Sequence, residues 1–177
     1  MKTLFFILCL NLSLFSNDLH LQKGFVAIHT EMLLDKTIDP LSTSLQADLS
    51  IQDSDINSLR GVFIIHMKLF SSDNKNRDEA MHKLNEVKKY PFAKYTISNI
   101  SKAEGNHMYI INGILNFHGK EKALEAKAEI LYQDNILTLN ATANILASEY
   151  NLEVPCLFFF CVRDKIDIFV KSELIVK

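Results

Sequence analysis

Strict two-residue alternation constrains this chain more than any other feature. Leu45, Ala47, Leu49 and Ile51 alternate with Gln46, Asp48, Ser50 and Gln52. Successive side chains of a strand point to opposite faces, so this run buries one face and wets the other. The pattern returns later in the chain. Leu124, Ala126, Ala128, Ile130 and Tyr132 stand opposite Glu125, Lys127 and Glu129, and Leu137, Leu139, Ala141, Ala143 and Ile145 stand opposite Thr138, Asn140, Thr142 and Asn144. Asp134-Asn135 turns the chain between them. With Leu21–Leu34, Gly61–Phe70 and Lys165–Val176, where Ile166, Ile168 and Val170 oppose Asp167 and Lys171, about eight strands are expected. No strand–helix–strand rhythm interrupts them, so an antiparallel barrel or sandwich follows. Closure is favoured because it removes unpaired edges.

Between the strands, Asp35–Ser44 with Pro40 reads as a loop, and Asp53–Asn57 supplies turn residues. One helix is expected after Asn76 or Asp78 as its N-cap, with Ala80, Leu84 and Val87 on one narrow apolar face. Pro91 is expected to end it by biasing Tyr90 away from helical dihedrals. Strands then run from Phe92 to Ile100 and from Met108 to Phe117, joined by a hairpin at Gly105-Asn106.

Three pieces of this middle region form a signature: Arg77-Asp78-Glu79-Ala80-Met81, Lys89-Tyr90-Pro91, and Gly113-Ile114-Leu115-Asn116-Phe117-His118-Gly119. Their order and spacing resemble the YceI-like family, and Ser148-Glu149-Tyr150-Asn151-Leu152-Glu153-Val154-Pro155 resembles a stretch found in one branch of it. Asn116 stands where Thr is usual, and Lys120-Glu121-Lys122 replaces the usual Val-Thr-Lys. The resemblance implies an all-β fold, an eight-stranded antiparallel lipocalin-like barrel with one short helix. It also implies an exported protein whose elongated pocket takes a polyisoprenoid or another long amphiphile.

Lys2 followed by the apolar run Leu4–Phe15 reads as a secretory signal peptide over 1–16, leaving 17–177 as one barrel domain in the periplasm or secreted. Removing Lys2 leaves 18 basic against 21 acidic side chains, which disfavours nucleic acid as a partner and gives no pull toward an anionic membrane. No stable membrane insertion is expected after cleavage, while a homodimer is allowed. Cys156 and Cys161 remain. Five residues apart on one straight strand they would lie about 16 Å from each other. Two buried free thiols are therefore the favoured reading, and a disulfide requires a turn through Leu157–Phe160.

Catalytic chemistry is poorly represented. No glycine-rich phosphate loop occurs, and no pair of histidines has the spacing of metal ligands. His29, His66 and His118 fall in or at the ends of strands, and Arg77-Asp78 reads as capping with a salt bridge to a strand. The candidate ligand-binding residues are the inward apolar ones: Leu49, Phe63, Ile65, Met67, Tyr109, Ile111, Leu115, Phe117 and Leu139. Both faces of 61–70 and 108–117 carry large apolar groups, so which face is inward stays open there. About ten buried carbons gain roughly 8 kcal/mol, within the association cost of about 4–15 kcal/mol, so a guest of roughly fifteen or more carbons is expected. Its head would meet Tyr90, Tyr95, Tyr150 or Asn116 at the barrel mouth. No cofactor is expected beyond such a polyisoprenoid or fatty-acyl guest. The rival readings are an interaction protein with a filled core, and a small hydrolase using His82 or His118.

Overall fold

The computed structural model describes residues 16–32, 36–154, 156–157 and 160–176. The expected leader lies outside them except for Ser16, which opens the first strand. In chain order the elements are β1 (Ser16–Met32), β2 (Lys36–Ile38), β3 (Leu41–Ser42), β4 (Gln46–Gln52), β5 (Asp55–His66), α1 (Lys75–Leu84), β6 (Phe92–Lys102), β7 (Met108–Phe117), β8 (Lys120–Gln133), β9 (Ile136–Leu146), β10 (Cys156–Leu157), β11 (Phe160–Cys161) and β12 (Lys165–Val176).

Eight of these strands close a lipocalin-like antiparallel barrel in the order β1-β4-β5-β6-β7-β8-β9-β12, and β12 pairs back onto β1 from His29↔Asp167 to Leu19↔Val176. Three hairpins turn on two residues with positive φ: Asp53-Ser54, His118-Gly119 and Asp134-Asn135. Paired positive φ values twist the turn with the same hand as the strands it joins. The register puts Met32, Gln46, His66, Phe92, Phe117, Lys120, Leu146 and Lys165 on one rim, called upper here, and Ser16, Gln52, Asp55, Lys102, Met108, Gln133, Ile136 and Val176 on the lower rim.

Several expectations need correction. The loop expected over 35–44 contains β2 and β3. The β1–β4 ladder covers only Ser16–Leu19 with Gln52–Leu49, and higher up β1 leaves an open edge that β3 and β2 occupy. Strand β5 stops at His66 and the chain enters a 3₁₀ turn, Met67–Leu69, so Leu69 is 56 % exposed instead of facing inward. The helix starts earlier than expected, with Asn74 as N-cap accepting from the Arg77 amide at 3.1 Å. Asp78 instead accepts from the amide and hydroxyl of Ser72, pinning the first turn to the incoming chain. The helix ends at Leu84 and not at Pro91, with five turn residues between, so Val87 lies beyond it. Gly105-Asn106 sits within a longer loop that Ala103 N–H closes onto the Met108 carbonyl at 2.9 Å.

The cysteine expectation is also overturned. β10 and β11 form a separate hairpin in which Cys156 opposes Cys161 with Cα atoms 3.9 Å apart, and the two are joined as a disulfide. The chain takes the turn through 157–160 that the straight-strand geometry lacked. Being hairpin partners, the cysteines lie on the same side of the ladder.

Candidate functional site: a half-hollow barrel

The inner residues divide the barrel into two halves. Toward the lower rim, Leu19, Ile51, Leu59, Ile97, Ile100, Ile130, Leu137 and Leu174 are each 4 % exposed or less. These branched side chains meet across the barrel and fill it. Toward the upper rim several inward positions of β8 and β9 are small instead, set between Leu124 and Ile145. Ala126, Ala141 and Ala143, with Ala147 just beyond β9 and Ala93 of β6, line a cavity of about 700 Å³. An eight-stranded barrel is just wide enough to be filled by large side chains, so alanines at these inward positions leave part of it empty. The filled core expected of the rival reading is real, but only in the lower half.

Of the nine candidate ligand-binding residues, seven line this cavity: Phe63, Ile65, Met67, Ile111, Leu115, Phe117 and Leu139. The structure thereby settles the inward face of β5 and β7, with Phe63, Ile65, Ile111 and Leu115 pointing in and Ile114 left 40 % exposed outside. Leu49 and Tyr109 lie off the cavity. Leu49 faces inward but is only 2 % exposed, and it pairs with Leu19 and Gly61 beside the packed floor. Tyr109 opposes Lys102 and Ala128, near the lower rim. Reading the alternation as one uniform face missed this division. The signal that could have found it is side-chain size, since alanines cluster at one end of β8 and β9.

Along β9 the cavity reaches from Leu139 to Ala147. At about 3.3 Å per residue and a strand tilt near 40°, that stretch rises roughly 20 Å. Its upper wall comes from α1 through Arg77, Met81, Lys83 and Leu84, from β2 and its neighbour through Ile38 and Pro40, and from Val154, Val162 and Arg163 flanking the disulfide hairpin.

Of the four groups expected at the mouth, only Tyr95 touches the cavity, and it does so from the wall. Its hydroxyl lies 3.0 Å from the Leu124 carbonyl and 3.1 Å from that of Ile111 and donates into this pair. Burial, with Glu125 adding to it, pushes the phenol up to about 12. Gly113 makes room for the ring, because a Cβ there would stand 2.6 Å from it. Tyr150 is 1 % exposed and packs on Phe117 with ring centres 5.4 Å apart. Tyr90 packs against His118 with ring centres 4.6 Å apart and the planes tilted by 60°, and Asn116 points outward to donate to Glu121.

The histidines do not converge. His82 Nε2 lies 2.9 Å from the Phe70 carbonyl and His118 Nδ1 lies 2.9 Å from the Tyr150 carbonyl, so both candidate bases are committed to main-chain acceptors. His118 Nε2 is 3.1 Å from the Glu86 carboxylate, at an angle that falls short of a hydrogen bond. His66 packs edge-on against Phe92. His29 stands at the upper rim, with Nδ1 2.6 Å from Asp39 and Nε2 3.3 Å from Glu31. The Asp39 hydrogen bond, then that to Glu31, raises its pKa, and the same bonds lower both carboxylates. Arg163 extends this network from Glu31 at 3.1 Å to Asp167 at 3.3 Å. Among the described residues no three His, Cys, Asp or Glu side chains are placed to hold a metal ion, and no helix is long and apolar enough to cross a membrane.

Three comparisons bear on this architecture. The family model of the YceI-like domain matches residues 20–174. No curated protein matches the sequence. Solved structures match its shape. BcnA of Burkholderia cenocepacia superposes with a TM-score of 0.75 at 16 % identity, covering 85 % of this chain and 95 % of that one. A polyisoprenoid binding domain from Saccharophagus degradans, implicated in plant cell wall breakdown, superposes at 0.70 with 11 % identity, covering 93 % and 100 %. The YceI protein of Campylobacter jejuni gives 0.60 with 15 % identity, covering 100 % and 93 %. At such identities these likenesses speak for the fold. The family match spans nearly the whole barrel, from near the start of β1 to near the end of β12, and the chain belongs to the YceI-like family.

Proposed function

We propose that this protein is an exported, non-enzymatic carrier that holds the tail of a long isoprenoid or acyl amphiphile in the upper half of its barrel. The observation that carries this reading is the cavity itself, apolar, open at one rim and closed below by packed branched side chains. Its volume of about 700 Å³ falls within the usual range for small-molecule sites. A C–C bond of about 1.5 Å advances an extended chain by roughly 1.25 Å per carbon, so a rise of roughly 20 Å takes about sixteen carbons. Burying about sixteen carbons gains roughly 13 kcal/mol against an association cost of about 4–15 kcal/mol, which favours tails of this length over shorter ones. The polyisoprenoid-binding relative from Saccharophagus degradans supports the same class of guest. The periplasm or the extracellular space is the proposed site of action.

The test is direct. Protein purified from its native compartment is extracted with organic solvent and also weighed intact by native mass spectrometry. A co-purifying chain of about fifteen carbons or more is expected, and its return to stripped protein should raise the melting temperature. A stripped protein that takes up no isoprenoid or acyl chain overturns the reading.

A further inference from the structure

Between His66 and Phe92 the chain leaves the upper rim, makes the 3₁₀ turn and α1, and returns to the same rim. The Met67 N–H closes this excursion by donating to the Pro91 carbonyl at 2.9 Å. Its helix walls the mouth of the cavity, and two features set the excursion apart from the rest of the molecule. The first is apolar. Leu69 is 56 % exposed, the most of any large apolar side chain among the described residues, and Phe92 is 42 % exposed. Leu41, bridged to Ser71 by two backbone hydrogen bonds, is 40 % exposed. Apolar side chains exposed singly are ordinary, whereas three on one excursion and its bridge mark a contact surface. The second feature is charge. Residues 67–91 hold 6 basic against 4 acidic side chains, while the remainder of the chain holds 13 against 17. Lys68, Lys75, Lys83 and Lys88 are exposed and have no ion pair among the described residues. Of the acids, Asp73 meets Arg77, Asp78 accepts from Ser72 and Glu86 meets Lys89. The overall negative balance thus conceals a positive end beside the cavity mouth.

From this placement we infer that the segment 67–92, with Leu41 beside it, is a docking face for an anionic phospholipid bilayer. Leu41, Leu69 and Phe92 enter the headgroup layer while the lysines stay at its surface, which sets the open rim of the barrel against the membrane. An acidic protein would match the lysines equally well. The neighbouring opening, however, leads into an apolar cavity that suits a tail drawn from a bilayer, so the bilayer is the occupant. A guest passing between membrane and barrel at this contact never carries its tail through water. That consequence rests on the carrier reading above, whereas the docking face does not. Each lysine near an anionic surface contributes about fivefold in partitioning, and salt screens the contribution.

Co-flotation of the purified, disulfide-intact protein measures docking, with vesicles of phosphatidylcholine alone and of phosphatidylcholine mixed with phosphatidylglycerol. Flotation is expected with the mixed vesicles only and should fall in high salt. Lys68→Gln and Lys88→Gln should each weaken it about fivefold, and Leu69→Ser about tenfold. Lys102→Gln, on the lower rim, should leave it unchanged. None of these four residues lines the cavity, so displacement of N-phenyl-1-naphthylamine by palmitate from stripped protein should be the same in every variant. Transfer of an anthroyloxy-labelled stearate from loaded protein to the mixed vesicles should quicken with vesicle concentration, as collision requires, and slow in Lys68→Gln and Leu69→Ser. Equal flotation with both vesicles, or flotation that Lys68→Gln, Lys88→Gln and Leu69→Ser leave unmoved, overturns the docking face. Absence of flotation together with salt-sensitive binding to polyglutamate assigns the face to an acidic protein and overturns it as well. Failure of palmitate to displace the probe overturns the carrier reading, and flotation still decides the docking face.

Discussion

Replacing Ala141 by leucine asks whether the upper barrel is hollow. Ala141 lines the cavity from β9, where it opposes Ala128 on one side and Val170 on the other. In a filled core the three added carbons would have nowhere to go, and such overpacking costs about 1–3 kcal/mol. In a cavity of about 700 Å³ they simply enter it. Three carbons at about 0.8 kcal/mol each gain at most roughly 2.4 kcal/mol where the wall takes them out of water, less about 0.5–1 kcal/mol of rotamer entropy, for a net gain of up to about 1.5 kcal/mol. In a domain of this size that raises the melting temperature by roughly 3–6 °C. The two cases differ in sign, so the test does not depend on an accurate magnitude. Urea and thermal unfolding of lipid-stripped wild type and Ala141→Leu, followed by circular dichroism, read it out. The same substitution should shorten the tail the protein accepts. A stripped variant less stable than wild type by 1 kcal/mol or more refutes the hollow barrel.

The other predictions probe separate parts of the molecule. Leu115→Arg and Met67→Arg, both cavity-lining, should abolish loading of a long tail in the displacement assay while the outward strand faces keep their circular dichroism signal. Reducing the Cys156–Cys161 bridge, whose partners are five residues apart, should cost about 2 kcal/mol or less, measured as a shift in the urea midpoint, and intact protein should show no free thiol at either position. Tyr95 should resist ionisation up to about pH 12, seen as absorbance near 295 nm that rises only there; a phenolate appearing at pH 10 contradicts its burial. His29 has a raised folded pKa and Asp39 a lowered one, so their tie is fully present between about pH 4 and about pH 6.5, is lost as pH rises through the raised folded value of His29, and is lost again in acid as Asp39 takes up its proton. Its ring protons should titrate above the ordinary value by NMR, and Asp39→Asn should bring the midpoint down.

Much of the fold was legible because the strands here are half-buried. Leu45–Gln52, 124–132 and 137–145 alternate cleanly, and the inward members are the buried ones, from Leu49 and Ile51 to Ile130 and Leu139. Where local pattern competes with tertiary pairing, it misleads. Nothing in Lys36–Ser42 reads as strand, since its pairing exists only because β1 outruns β4 and leaves an edge to cover. Leu69 continues the alternation of Phe63, Ile65 and Met67, yet the chain must leave the barrel there to reach α1. Cys156 and Cys161 look too far apart until the hairpin between them is known. Of the site, the apolar lining was readable but its depth was not. Alternation reports which face a side chain is on and says nothing of how far along the barrel the filling stops, and that is why Leu49 and Tyr109 were expected in a cavity they do not touch.

The division between filled and hollow halves also bears on what the empty protein must look like. A sealed void costs about 24 cal/mol per Å³, and over about 700 Å³ that comes to roughly 17 kcal/mol. This exceeds the whole stability of an ordinary domain, about 5–15 kcal/mol. The upper barrel therefore does not persist as a dry sealed hole. Its open rim lets water stand against Ala126, Leu115, Phe63 and their neighbours, and that wet apolar wall is what a guest tail dries. The floor makes this arrangement tolerable, because Ile51, Leu59, Ile130, Leu137 and Leu174 are wholly buried and hold the strands in register without help from above. Stability and binding are thereby assigned to different ends of the same eight strands. Truncating Ile130 to alanine should weaken folding by about 2–5 kcal/mol, whereas enlarging Ala141 should weaken loading and strengthen the fold.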